Sequence, residues 1–185
     1  MDNGSVFVVL ISVAVGALLG GVVQTLVARY AAHKEAQGIA VSVRAEINAL
    51  VELVEARRYI ECLDLIVDRL QTTGNAMVSD YFSPRIKEDY FQVFKAVAPT
   101  IGMLKEAAGP SVKAYTLAQS FIEDVHMLDE NRRRVENGMA NPNLDRLLTA
   151  TREVREMLSA ALIVGREATD ALGGFLRKRW LGVFP

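Results

Sequence analysis

Apolar and polar positions follow two regimes along this chain. No charged side chain falls between Asp2 and Arg29, whereas from Ala36 to Phe175 apolar residues return every three or four positions among charged ones. The first regime predicts a membrane-spanning helix. Gly4 to Ala28 is 25 residues without a formal charge, and at about 1.5 Å per residue it crosses a hydrocarbon core of about 30 Å with some tilt. A secretory signal would bring a basic leader and a shorter apolar run, but the leader here is Met-Asp-Asn-Gly-Ser. A buried core helix, apolar on every face, would need protein all round it. Arg29, Lys34 and Arg44, with His33 beside them, follow the stretch closely. The positive-inside tendency therefore places the amino terminus outside and residues 29–185 in the cytosol. Within the span, Ser12, Gly16, Gly20 and Gln24 recur every four residues, a ridge that lets two membrane helices approach closely. The plainer account is that glycine is common in membrane helices.

The second regime predicts helices and no strand. Ala36, Ala40, Val43, Ile47, Leu50 and Val54 lie 4, 3, 4, 3 and 4 residues apart, which suits either a parallel two-stranded coiled coil or a helix buried in its own bundle. Apolar Ile39, Val51 and Leu53 stand where a coiled coil would carry charges, which favours the bundle. After Tyr59 the stripe moves to the opposite face through Ile60, Leu63, Ile66, Val67 and Leu70. Either the helix breaks near Arg57, or one long helix changes partners along its length, and Gly74 caps its end. Ser83-Pro84 opens a helix with Ile86, Tyr90, Val93, Phe94 and Val97 on its buried face. Pro99 starts a shorter piece through Leu104, and Gly109-Pro110-Ser111 separates it from a helix using Tyr115, Ala118, Ile122, Val125 and Leu128. That helix stops at Gly138. Asn141-Pro142 opens the last one, whose buried face is Leu147, Thr151, Val154, Leu158, Ala161, Gly165, Ala168, Leu172 and Phe175. The expectation is an all-α chain in which one N-terminal transmembrane helix carries a cytosolic antiparallel bundle of four or five helices. Its parts are the span at 1–28, a juxtamembrane helix at 29–55, the bundle at 56–176 and a basic, aromatic tail at 177–185.

Charge narrows the function classes. Residues 29–185 hold 21 basic and 21 acidic side chains, so no excess of cations favours a nucleic-acid partner. The single Cys62 excludes an internal disulfide and fits a reducing compartment. Its apolar neighbours in Tyr-Ile-Glu-Cys-Leu-Asp-Leu-Ile predict a buried thiol of high pKa. Glu123-Asp-Val-His126 is half of the pair of motifs that a di-iron bundle site needs, and His33, the other histidine, has no glutamate three residues before it. Nucleotide-binding, hydrolase-elbow and zinc-protease motifs are absent. No metal, cofactor or catalytic residue is expected.

Three segments remain as candidate contact surfaces. Asp-Tyr-Phe occurs twice, nine residues apart, so Tyr81, Phe82, Tyr90 and Phe91 form either an aromatic partner patch or core packing around a loop. Arg132, Arg133 and Arg134 stand among Asp129, Glu130 and Glu136, as in a solvated turn. Arg177, Lys178, Arg179 and Trp180 combine basic and aromatic side chains, which suits either contact with the inner leaflet or packing back on the bundle.

The run Arg-Ala-Glu-Ile-Asn-Ala-Leu-Val-Glu-Leu-Val-Glu-Ala-Arg-Arg-Tyr-Ile-Glu, the Tyr-Phe segment, and Ile-Gly-Met-Leu-Lys-Glu-Ala-Ala-Gly-Pro-Ser-Val-Lys-Ala-Tyr together resemble a pattern of small bacterial single-pass membrane proteins with a cytosolic helical domain. The resemblance covers about Arg44 to Leu128. It implies a bacterial or prophage origin and an inner-membrane setting, and brings no activity, cofactor or binding residue with it. The function expected is a membrane-anchored, self-associating interaction or regulatory module without catalytic activity, touching the bilayer, a second copy and a further protein partner. The alternatives are a phage-type pore or lysis protein and an enzyme acting on a membrane-associated substrate.

Overall fold

The computed structural model describes the backbone of residues 3–84 and 90–178, and side chains from residue 20 onward within those ranges. The described residues form helices and turns, with no strand among them. Helix α1 spans Asn3–Ala56, α2 Tyr59–Thr73, α3 Gln92–Val97, α4 Ala108–Glu136 and α5 Leu144–Arg177. Short 3-10 turns at Val78–Asp80 and Ala98–Ala107 complete the order.

α1 is continuous for 54 residues, but its environment changes midway. From Gly20 to Ala32 all side chains but the half-buried Leu26 are exposed, while Ala36, Ile39, Ala40, Val43 and Ile47 are buried. That stripe faces α5 of its own chain rather than waiting for a coiled-coil partner. Gly165 of α5 makes the approach possible, since a Cβ there would stand 3.2 Å from Val51 Cγ2. Arg44 lies against Gly173 and Ile47 against Gly165, so α1 and α5 run antiparallel.

The stripe's change of face has a backbone cause. Arg58 adopts a left-handed conformation, φ 51° and ψ 45°, and separates α1 from α2. Leu63 and Leu70 then turn inward against α5. Gly74, at φ 63°, ends α2 by donating its amide to the Leu70 carbonyl, a left-handed position that costs glycine no steric penalty.

Four expectations are corrected. The helix that carries Val93, Phe94 and Val97 begins at Gln92 and does not run through from Ser83-Pro84, because Phe91 takes φ 74°; residues 85–89, Ile86 included, lie outside the described residues. Gly109-Pro110-Ser111 does not separate two elements but forms the first turn of α4, where proline's missing amide would lack an intrahelical partner anyway. The cap of α5 is Asn143, whose side chain accepts from the Arg146 amide at 2.9 Å, rather than Asn141-Pro142. Cys62 is exposed, not buried: α2 turns Leu63 into the core, and one residue earlier points about 100° away.

Among the described residues the core consists of two apolar clusters that share α4 and α5. The first gathers Val43 and Ile47 with Phe91, Leu104, Tyr115, Ala168 and Leu172. The second gathers Tyr59, Leu63 and Leu70 with Phe82, Val125, Leu147 and Leu158. Among the described residues no helix is long and apolar enough to cross a membrane. The side chains of residues 4–19, which make up most of the charge-free stretch, lie outside those described.

Candidate functional site

Among the described residues, three cavities stand out on or within the bundle. One of about 80 Å³ lies between the two clusters, lined by Ile47, Val51, Tyr115, Phe121 and Leu158 among others. It is apolar and far below the roughly 300 Å³ at which ligand pockets begin. A second, about 180 Å³, sits by the α4–α5 turn between Asn131, Arg134, Asn143 and Arg146. The third is a groove of about 860 Å³ beside the middle of α1, where the helix enters the bundle. It is the only one of these three with both the size of a ligand site and a concentration of charge.

Three separate parts of the chain build this groove. Arg29 and His33 come from α1, one helical turn apart on the same face. Lys105 and Glu106 come from the 3-10 turn, and Lys178 from the residue that ends α5. Ala36, Met103, Ala171 and Phe175 supply an apolar floor. Lys105 has φ 53° and ψ −118°, a conformation that L-residues rarely hold and that surrounding structure must enforce.

The charges are unequally answered. Lys178 Nζ donates to Glu106 Oε2 at 2.7 Å. That hydrogen bond, then the positive charge behind it, hold the Glu106 carboxyl below its ordinary range, and Lys105 adds in the same sense. Arg29 and Lys105 have no ion-pair partner among the described residues. His33 Nε2 is buried without a hydrogen-bond partner, its ring 6.4 Å from that of Phe175. Three turns further along the same face of α1, Arg44 Nε is likewise buried and unpartnered.

The expected contact residues separate. Phe82 is buried edge-on to Tyr59, with ring centroids 5.6 Å apart. Phe91 is buried edge-on to Tyr115 at 5.5 Å. Tyr81 and Tyr90 are half-buried. The repeated motif therefore anchors both clusters, and its phenylalanines present no outer face to a partner. Gly20 and Gln24 are exposed, while the side chains of Ser12 and Gly16 lie outside the described residues. Arg177 is exposed and Lys178 enters the groove, while Arg179 and Trp180 lie outside the described residues. Two arginines of the run are neutralised within α4, Arg132 by Asp129 and Glu136, and Arg133 by Asp129. His126 is exposed, and no group of three or more His, Cys, Asp or Glu among the described residues is placed to hold a metal ion.

Sequence periodicity gives one faint signal for the groove, the i, i+4 spacing of Arg29 and His33. Nothing in the chain order links them to Lys105 or Lys178. Compared with known proteins, the chain matches no family model, no curated sequence and no solved structure, so no residue role is carried over from a relative.

Proposed function

We propose that this chain is a membrane-tethered helical interaction module, anchored by residues 4–28 in a bacterial inner membrane with its amino terminus outside and its bundle in the cytosol. The observation that carries the reading is the behaviour of α1. The helix continues unbroken out of the bundle, and the uncovered part presents Val22, Val23 and Val27 at 56, 59 and 62% exposure. Apolar residues in a row on an uncovered helix call for a non-aqueous surrounding or a partner. The charge-free sequence that precedes them supports lipid, and Arg29 and Lys34 on the bundle side support this orientation. In this setting the ridge of Ser12, Gly16, Gly20 and Gln24 joins two copies, and the bundle offers its surface to a protein partner. No catalytic group and no cofactor enter the reading: the groove pairs one histidine with a single carboxylate, Glu106.

Alkaline carbonate extraction of membranes carrying the full chain tests the tether. The protein is expected in the pellet, and its release to the supernatant overturns the reading. Protease added to intact spheroplasts is expected to leave residues 29–185 uncut. Self-association is tested by mass in uncharged detergent, where Gly16→Leu with Gly20→Leu is expected to convert an oligomer to a monomer. A wild-type chain already running as a strict monomer removes the second copy from the proposal.

A further inference from the structure

We propose that the groove beside the middle of α1 binds the phosphate headgroup of an anionic phospholipid, an inference that rests on the membrane tether proposed above. Arg29 is the first charge after the uncharged stretch, so in that reading the groove opens at the level of the inner headgroups. Its polar wall carries Arg29, His33, Lys105 and Lys178 against one carboxylate, Glu106, already engaged by Lys178. The other dense basic run behaves differently, since Arg132 and Arg133 are both held by Asp129. Arg29 and Lys105, without an ion-pair partner among the described residues, leave the groove a net positive wall. Beside an anionic surface such a wall attracts phosphate, at roughly fivefold in affinity for each cation.

The buried, unpartnered His33 Nε2 adds a group that gains from a polar ligand. Below it, Ala36, Met103, Ala171 and Phe175 form the apolar floor. A lipid places its phosphate among the cations, while its acyl chains return toward the bilayer past the exposed Val22, Val23 and Val27. A free phosphate or an acidic peptide would leave those valines uncovered. The volume, about 860 Å³, has room for a headgroup.

The test uses the full chain purified in uncharged detergent, with lipid retention followed by native mass spectrometry. Phosphatidylglycerol is expected to be retained at concentrations where phosphatidylcholine is not. Arg29→Gln, Lys105→Gln and Lys178→Gln combined are expected to weaken phosphatidylglycerol retention about one hundredfold, with helical content unchanged by circular dichroism. Arg132→Gln with Arg133→Gln is expected to leave retention as it was. Equal retention of the two lipids, or an unaffected triple variant, overturns the proposal. So does displacement of phosphatidylglycerol by equimolar inorganic phosphate, which indicates a free-anion site, or by an acidic peptide, which indicates a protein segment. Carbonate extraction of the wild type and the triple variant is read separately. Release of the wild type refutes the tether, whereas a pelleted wild type without lipid preference refutes only the groove.

Discussion

The two apolar clusters are built alike up to one point. Each sets a phenylalanine from an Asp-Tyr-Phe motif edge-on to a tyrosine, Phe91 on Tyr115 and Phe82 on Tyr59, and each is organised around a carboxylate. The carboxylates are answered differently. Asp80, 1% exposed, faces the full charge of Arg69 at 2.9 Å, an ion pair without hydrogen-bond geometry, and accepts from the Met77 amide at 2.8 Å. Glu46 meets neutral donors only among the described residues: the amides of Val93 and Phe94 at 2.9 and 3.0 Å and the Tyr115 hydroxyl at 2.5 Å. The first arrangement ties a loop back to α2. The second lets α1 cap α3, a six-residue helix whose own N-cap, Phe91, supplies no side-chain acceptor. A short helix with a costly nucleus forms where another element collects its free amides.

The strongest challenge to this comparison removes apolar volume from each cluster in turn. Leu172→Ala in the first and Leu63→Ala in the second are each expected to cost about 2–5 kcal/mol, since both side chains are fully buried. Urea unfolding of the full chain in uncharged detergent should move a single transition in both variants. Two transitions, each sensitive to one substitution, would show that the clusters melt independently.

The carboxylates come next. Glu46→Ala leaves three donors without their acceptor and is expected to cost about 2–3 kcal/mol. Asp80→Ala is expected to cost about 1–2 kcal/mol, because Arg69 is 43% exposed and finds water instead. Raising salt from about 0.1 to 1 M, where the screening length falls from about 10 to 3 Å, should shrink the Asp80 cost and leave the Glu46 cost in place. Equal salt responses would erase the distinction between charge and dipole.

A pH profile sharpens it further. Burial first, and then the bond to Glu46 and its negative charge, raise the Tyr115 phenol well above its ordinary value. The folded chain therefore keeps this proton to higher pH than the unfolded chain. Its contribution is complete below the unfolded value of about 10 and is lost as pH rises from there. Tyr115→Phe should lose about 1 kcal/mol near neutrality and flatten the alkaline limb of unfolding free energy against pH; an unchanged limb counts against the Glu46–Tyr115 link.

The smallest effect belongs to Ser83, directly after Phe82, whose hydroxyl donates to Asp129 on α4 at 2.8 Å. That bond first, and Arg132 and Arg133 after it, hold the Asp129 carboxyl below its ordinary range. The stability it lends is present above about pH 4 and is lost as pH falls through the lowered value. Ser83→Ala should cost under about 1 kcal/mol and move the onset of acid unfolding upward by a fraction of a unit. An acid limb identical to the wild type's would remove Ser83 from the second cluster's supports.

Particular residues show how far the chain order alone carries. The stripe from Leu147 through Leu172 names the buried face of α5 almost completely, and Ala36 through Ile47 does the same for the bundle half of α1. Both are long amphipathic helices, where period and burial coincide. Cys62 escapes such reading because the surrounding run is apolar on several faces and only the crossing with α5 selects one. Phe91 escapes it too, since its left-handed backbone leads into amides that Glu46, 47 positions from Val93, collects. Tyr81, Phe82, Tyr90 and Phe91 were legible as a repeat, but its division between two clusters was not.

Local spacing thus determined that the chain is helical, which faces of its long helices turn inward, where α2 and α4 stop, and where charge first enters after Asp2. Tertiary structure alone decided that Glu46 serves α3, that Lys178 reaches Glu106, and that Arg29, His33 and Lys105 share one groove. The reason is geometric. A residue's period describes the surface of its own helix, whereas groups 47 or 72 positions apart meet only through the angle and depth at which separate helices cross.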